Sequence, residues 1–356
     1  MTDKRHKIAM FADCPAEISP SLWVNGGQFL PWFHDHGWDL ELLPPFGDRC
    51  TRFLGRTRGL SRLFQRVVLP LKRKSQIRRV VRESDIVVVH KCITSMQDPP
   101  IFERRLRSRH SRVIFNYDDA VHERGIPFLA ERIALADAVW VGNPLLAEYS
   151  RNYCSNVHLI ESAVDCDHYV AKTSYVLNTP PRLVWSGTPF SLPYLEILRE
   201  PLRALRKQSP FVFNIVCRER FTFADSQISE EWTPFSPANE TRSLLMADIA
   251  LMPIVDGAYE RAKENYKVKM YLASGLPVVC SPVGINMQFV QSGELGFFAG
   301  NSAEWTAQIA MLLNNEALRK HVGINGRRKI LKKYALPVIG RQLLDLFENL
   351  LHRKAA

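Results

Sequence analysis

The chain has 356 residues, 46% of them hydrophobic, a formal net charge of +11 and seven cysteines with no CxxC spacing. That length and apolar content suffice for two cores of ordinary size, and scattered cysteines point to reduced thiols and a cytoplasmic location rather than a disulfide scaffold. No run of about 18 uncharged apolar residues exists to cross a membrane, and the opening MTDKRHKIAMF holds too short an apolar stretch for a signal peptide.

Strand signals at 8–11, 40–43, 86–89, 113–115, 138–141 and 157–160 alternate with helical patterns, which predicts a Rossmann-like domain over 1–170. After the first strand, the run VNGG opens a helix whose apolar side is Phe29, Leu30, Trp32 and Phe33. Gly26 and Gly27 would there let backbone amides approach a phosphate or sugar, or simply start the helix. Residues 49–112 contain 18 Lys and Arg against four Asp and Glu, more than the whole charge excess. Within it, Leu60, Leu63, Phe64, Val67 and Val68 recur at helical spacing with Arg58, Arg62 and Arg66 on other faces, and KRKSQIRRVVR follows Pro70. Segment 56–82 therefore reads as a basic amphipathic surface for anionic membrane lipid, the alternative being a stripe packed into the domain with solvated arginines. Nucleic acid is not expected as partner, because Phe53 and Phe64 sit among aliphatics rather than interleaved with charge on an open face.

The stretch AKTSYVLNTPPR over 171–182 suits neither helix nor paired strand, and is expected to be the linker. Beyond it, strand signals at 183–185, 211–216, 249–252 and 278–280 predict a second domain of the same kind over 183–335, followed by a helical run at 336–352. The stretch KVKMYLASGLPVVCSPVGINMQFVQSGELGFF reads as helix, turn, buried strand and glycine-rich loop: Gly275 and Pro277 stop the helix, and Pro282 and Gly284 end the strand. Loops at the carboxyl ends of such strands form the ligand crevice, so Gly284 is expected at a pocket.

On KENYKVKMYLASGLPVVCSPVGIN, GELGFF, AEWTAQIAMLL and GRRKILKKYAL, and in the first half on DIVVVHKC, VIFNYDDAVHE and ADAVWVGNPLLAEY, the chain resembles the GT-B glycosyltransferases of the retaining, family-four type that build bacterial surface glycans such as lipopolysaccharide. The resemblance implies an α/β fold of two Rossmann-like domains facing across a cleft, with residues 336–356 crossing back onto the first. It also implies transfer, with retention and without metal, from a nucleotide-diphosphate sugar to a glycan or lipid-linked acceptor. The co-substrate would be a UDP-sugar ahead of a GDP-sugar, with no separate cofactor, and the protein would sit peripherally on the inner face of the cytoplasmic membrane.

The departing diphosphate requires cations, helix N-termini or bare amides. Lys263 and Lys267, at i, i+4 spacing, are the expected cations, the alternative being ordinary solvated lysines. Gly187 and Thr188 fall in the resemblance's phosphate loop, but SGTPFSLPYL lacks the Arg and Lys that relatives often carry there. Arg218 either meets the nucleotide or lies on the surface. Relatives commonly have a pair of glutamates before the helix-ending glycine, yet those positions here are Ala262 and Met270. Asp256 and Glu264 reproduce the spacing six residues too early, leaving Glu264 for a sugar hydroxyl or for pairing with Lys263 or Lys267. In the first domain the resemblance gives Asp119 an acceptor hydroxyl, places Asp118 beside it and sets His122 near the donor sugar. The alternative is that Asp119 caps the following turn and His122 is merely exposed. Lys91 would reach an acceptor phosphate. Asp165-Cys166-Asp167 spells a metal-binding DxD but lies in a segment that does not call for metal, and no GxGxxG follows a strand. A non-catalytic GT-B partner protein and a GT-B sugar-nucleotide epimerase remain the rival readings.

Overall fold

A computed structural model describes residues 5–55, 64–110, 112–224, 228–264 and 266–352. The chain divides into two compact units, residues 1–163 with 336–356, and residues 164–335.

The first unit holds strands β1 (His6–Phe11), β2 (Trp38–Leu43), β3 (Ile86–His90), β4 (Val113–Tyr117), β5 (Ala138–Val141) and β6 (Val157–Leu159), in spatial order β2-β1-β3-β4-β5-β6. All pairings are parallel. The sequences IVVVH, VIFNY and AVWV bury every residue, as parallel strands covered on both faces require. The chain leaves β1 to one side for β2 and returns to the other for β3. The carboxyl ends of β1 and β3 thus form a topological switch point, where open α/β sheets hold ligands. Helix Leu336–His352 belongs to this unit and buries Ile339, Leu343, Leu344, Leu346, Phe347 and Leu350 with Phe29, Phe33 and Trp38. Its Phe347 ring lies 5.7 Å from both Phe33 and Trp38.

The second unit holds β7 (Arg182–Ser186), β8 (Val212–Cys217), β9 (Glu230–Pro234), β10 (Ile249–Met252), β11 (Val278–Cys280) and β12 (Phe297–Phe298), ordered β12-β11-β10-β7-β8-β9. These pairings too are parallel, and the switch point falls between β7 and β10. Separate apolar clusters cover the two faces of the sheet. The sequence reading lacked β9 and β12. EEWTP is a polar edge strand with no buried residue, and two residues at 297–298 are too short for any periodicity.

The boundary also differs from the expected one. It falls between residues 163 and 164, and the stretch proposed as a linker is strapped onto the second unit. Val164 bridges Ala335, Tyr175 Oη donates to the Gly275 carbonyl at 3.0 Å, and Asn178 Nδ2 donates to Asp248 at 3.0 Å. The buried Arg319 donates twice to the Tyr175 carbonyl, at 3.0 and 2.7 Å. The strap is held by side-chain hydrogen bonds running in both directions, which no periodicity reveals.

In the basic segment, residues 56–63, with Arg58, Leu60, Arg62 and Leu63, lie outside the described residues. Helix Leu69–Glu83 buries Leu69, Ile77 and Val80, and with them Arg73, which is fully buried. Arg73 donates to the carbonyls of Leu43 at 2.8 Å and Ala12 at 2.5 Å, where β2 and β1 end. One cation expected on a surface is therefore an internal staple. Arg66, Lys72, Lys74, Arg78 and Arg82 are exposed, as are Phe53, Val67 and Leu71.

Candidate functional site

Each switch point gathers a cluster of polar side chains. In the first unit, β3 ends at His90, and Lys91 then turns sharply with φ 63, a left-handed conformation uncommon for a residue with a Cβ. Its N–H donates to the Asn116 carbonyl at 2.8 Å, which holds the turn. The Lys91 ammonium lies 2.9 Å from Asp118 Oδ1 and 2.7 Å from Asp119 Oδ2. Asp118 Oδ2 accepts from Ser21 Oγ at 2.5 Å and from Asn25 Nδ2 at 3.0 Å, both on helix Pro20–Asn25 after β1. Burial works to raise the Asp118 carboxyl, but the Lys91 ammonium overcomes it and, with the Ser21 hydrogen bond, holds it below the usual carboxylate range. Asp118 is nearly buried while Asp119 is 39% exposed, so the second carboxylate is the one a ligand can reach.

His90 is fully buried, with Nδ1 2.6 Å from Asn116 Oδ1 and Nε2 2.9 Å from Ser21 Oγ. Asn116 Nδ2 donates to the Trp140 carbonyl, which leaves its Oδ1 as acceptor and assigns the proton to His90 Nδ1. Burial pushes the His90 pKa down, with Asp118 opposing. His122 sits in the turn Val121–Arg124, stacked on Tyr149 with centroids 4.7 Å apart. Its Nε2 is 3.2 Å from Glu123, and its Nδ1 is buried without a hydrogen-bond partner among the described residues. Burial lowers its pKa as well, Glu123 opposing, so a neutral imidazole is favoured near pH 7.

Gly26 and Gly27 are buried, and both lack a side chain for packing reasons. A Cβ on Gly26 would meet Met10 Sδ at 2.8 Å, and one on Gly27 would meet the Trp23 ring at 2.7 Å. The Gly26 N–H is moreover taken by the Leu22 carbonyl. The Gly26 amide is therefore not open to a ligand. Lys91, with its ammonium between two carboxylates, does not present a free cation either.

In the second unit, β7 runs into Ser186, Gly187 and Thr188. Thr188 is exposed and precedes the 3₁₀ segment Pro189–Leu198 without a side-chain capping bond. Helix Tyr266–Ala273 brings the Lys267 ammonium over the Trp185 ring at 4.6 Å, so close to Gly187 that a Cβ there would lie 2.7 Å from Nζ. A Cβ on Gly187 would meet the Trp185 indole first, at 2.5 and 2.6 Å, so the missing side chain makes room for the ring and the cation together. The Lys263 ammonium lies 5.2, 5.2 and 5.1 Å from the ring centroids of Phe190, Tyr194 and Tyr259. Such positions over ring faces favour a cation in a partly dry setting. Burial lowers the Lys267 pKa to about 7, with the Lys263 charge adding to the effect and Cys217 and Glu240 opposing.

Glu240, on helix Pro237–Met246, is a buried acid that sequence reasoning missed. It accepts from Ser186 Oγ and from Tyr169 Oη, the latter at 2.9 Å, and burial raises its pKa. Tyr271 Oη, one turn beyond Lys267, accepts from the Ser186 N–H at 2.8 Å and so ties that helix to the end of β7. A single buried Glu within a polar helix carries no sequence signal, since its partners, Ser186 and Tyr169, come from two distant stretches of chain.

The remaining expected residues have other surroundings. Arg218 is exposed at the end of β8, its guanidinium 5.8 Å from the Phe235 ring. Glu264 is buried and accepts from Lys269 Nζ at 3.1 Å, a lysine 1% exposed that had not been singled out. Asp256 instead pairs with Arg261 at 2.6 and 2.9 Å. Gly284 has φ 55 and packs against the Arg261 backbone, whose carbonyl oxygen would be 2.3 Å from any Cβ. Asp165 accepts from the N–H groups of Asp167 and His168, each at 3.0 Å, as a local turn.

No protein-family model matches the chain, and no curated protein does. Solved structures do. A glycosyltransferase from Rickettsia africae ESF-5 is 13% identical with a TM-score of 0.71, over 98% of this chain and 100% of that one. A sucrose-phosphate synthase from Thermosynechococcus elongatus is 13% identical with a TM-score of 0.68, over 97% and 99%. The Anabaena protein Alr3699/HepE, in complex with UDP and glucose, is 12% identical with a TM-score of 0.62, over 97% and 99%. Likeness at that level of identity speaks to the fold: with two parallel six-stranded sheets, this chain has the α/β fold of GT-B glycosyltransferases.

Proposed function

We propose that the chain is a glycosyltransferase that moves a sugar from a nucleotide-diphosphate donor to a glycan or lipid-linked acceptor, with retention and without metal, in the synthesis of a bacterial surface polysaccharide. The observation that carries the reading is the pair of ammonium groups, Lys263 and Lys267, at the β7–β10 switch point, with Lys267 seated against Gly187. A phosphate oxygen drawn there would meet positive charge within aromatic walls, where Coulomb attraction is stronger than in water. The absent loop Arg and Lys are thus replaced by Lys267 on helix Tyr266–Ala273 and by Lys263 in the stretch before it. Thr188 Oγ1 and Arg218 stand at the ends of β7 and β8 as further donor contacts.

In the reaction the bond between the anomeric carbon and the diphosphate oxygen breaks, and a bond from that carbon to the acceptor oxygen forms. The acceptor proton passes to the departing diphosphate. The lysines stabilise the charge that develops on the leaving group, and Asp119 orients the acceptor hydroxyl. The support for a UDP donor is that the similar HepE structure holds UDP and glucose.

A thermal-shift screen with UDP, GDP, ADP and CDP tests the donor. At a ligand concentration about 100 times Kd, binding stabilises the native state by about 2.7 kcal/mol, and UDP is expected to give the largest rise in melting point. No rise with any of the four would end the reading, whereas UDP binding with donor conversion in the absence of acceptor would favour the epimerase.

The surface bearing Phe53, Val67 and Leu71 among Arg52, Arg66, Lys72, Lys74 and Arg78 is proposed to dock on anionic lipid, the cations facing headgroups and the apolar side chains entering the interface. Co-sedimentation should show binding to phosphatidylglycerol-containing vesicles and not to phosphatidylcholine. Lys72→Glu with Lys74→Glu should reduce it about tenfold or more, at about 1 kcal/mol per basic residue. Equal binding to both vesicle types would remove the membrane from the account.

A further inference from the structure

We propose that Glu240 is a positioning residue for Lys267: a buried counter-charge, tethered short of contact, whose field supports the Lys267 ammonium while leaving it open to an anionic ligand. Naming that ligand as the donor's diphosphate rests on the glycosyltransferase reading; the pairing of the two charges does not.

The geometry is that of a carboxylate lodged among hydroxyls. Glu240 is 8% exposed on helix Pro237–Met246, and its two oxygens are taken separately, one by Ser186 Oγ and the other by Tyr169 Oη at 2.9 Å. Tyr266 hydrogen-bonds Tyr169 in turn. Ser186 is fixed from the other side, its N–H donating to Tyr271 Oη at 2.8 Å. The next residue is Gly187, against which the Lys267 ammonium is seated. The residue that tethers the carboxylate and the residue that accommodates the ammonium are thus consecutive at the end of β7. Among the described residues, neither Glu240 oxygen is in ion-pair contact with an ammonium. Hydroxyl donors satisfy the oxygens of a buried carboxylate but do not neutralise its charge, which is left to act on Lys267.

The titratable groups around the pair have definite signs. Lys267 feels Lys263 from the stretch before its helix, Cys217 from the end of β8, and Glu240. Cys217 stays a thiol because burial raises its pKa, so Glu240 supplies the negative charge that offsets Lys263. Around Glu240 the phenols of Tyr169, Tyr266 and Tyr271 stay protonated, burial raising all three, and His168 and Lys267 provide the positive charges that act on it. Burial pushes both members toward their neutral forms, Glu240 up and Lys267 down, and each charge opposes the other's loss. Lys91 shows the contrasting arrangement, in which two carboxylates touch the ammonium and occupy it. At Lys267 the attraction acts across a gap through a poorly screening interior, so an anion approaching the ammonium displaces no carboxylate.

The test uses the full chain, free of ligand, carrying ¹³Cε-labelled lysine and ¹³Cδ-labelled glutamate, with Lys267→Met and Glu240→Gln assigning the two signals. In Glu240→Gln, which keeps the shape and leaves both hydroxyls a partner, Lys267 should titrate about half a pH unit or more below the parent. In Lys267→Met the Glu240 carboxyl should titrate about half a pH unit or more above the parent, an arm that stands whether or not Glu240→Gln folds. Glu240→Asp retains the charge and should bring Lys267 back toward its parent value. Calorimetric titration with UDP supplies the binding readout: the pH above which affinity falls should move down in Glu240→Gln together with the Lys267 signal, whereas a purely structural change would weaken binding alike at every pH. An unmoved Lys267 in Glu240→Gln, or an unmoved Glu240 in Lys267→Met, would overturn the proposal. A parent that binds no UDP would remove the donor reading and leave the two titrations to decide the charge pairing on their own.

Discussion

Lys267→Met is expected to weaken UDP binding by about 10- to 100-fold, the effect of losing one charge-assisted hydrogen bond, and to abolish the pH dependence of that binding. In the free protein, burial and the neighbouring Lys263 bring the Lys267 pKa from 10.5 down to about 7. Between those values the unfolded chain holds a proton that the folded chain has lost, so stability of the ligand-free protein rises with pH across that window. Binding runs the other way. A diphosphate needs the ammonium, so above about pH 7 each binding event takes up a proton and affinity falls by about tenfold per pH unit. Calorimetric titration with UDP from about pH 7.5 to about 9.5 avoids the phosphate's own second ionisation near about 6. Buffers of different ionisation heat give the proton count directly. Affinity that stays flat with pH, with no proton taken up, would show that Lys267 does not meet the phosphate.

Gly323→Val should lower the melting point of the second unit by about 5–10 °C, equivalent to about 2–4 kcal/mol. Helix Glu316–Lys333 crosses helix Tyr266–Ala273 through glycines: a Cβ on Gly323 would lie 2.3 Å from the Gly275 carbonyl oxygen and 2.6 Å from Tyr175, and one on Gly326 would lie 2.7 Å from Leu272. A backbone oxygen cannot move aside as a flexible side chain does, so the helices must separate. Because Lys267 rides on the displaced helix, UDP affinity should fall in the same variant. Gly300→Ala serves as control, its Cβ meeting Glu304 at an ordinary 3.5 Å. Equal melting points for the two variants would mean that the close crossing is not a determinant of stability.

The lysine pair illustrates how far a linear reading reaches. Helical spacing predicted Lys263 and Lys267 on one helix face, but Lys263 lies ahead of helix Tyr266–Ala273, and the rings around the two come from Trp185, Phe190, Tyr194 and Tyr259, four residues on three separate stretches of chain. Aromatic residues in such stretches look like core in sequence, and Phe190 is in fact 56% exposed. Asp118 and Asp119 were legible as a pair after a buried strand. Their relation to Lys91 was not, because the ion pairs join the ends of β3 and β4, which become neighbours only when the sheet forms.

By itself the sequence determined the alternation of helix and buried strand, the two sheets, the helix stop at Gly275 and the residue types available at strand ends. Those follow from periodicity, chain stiffness and the special geometry of glycine and proline, which act over a few neighbouring residues. Only the tertiary structure decided which charges would be cancelled: Lys91 by two carboxylates, Glu264 by Lys269, Arg73 by two strand-end carbonyls, while Lys267 was set against an indole. A charge acts on whatever lies within a few ångströms, and in this chain such partners are distant in sequence, as Arg73 and Ala12 are at 61 residues and Arg319 and Tyr175 at 144.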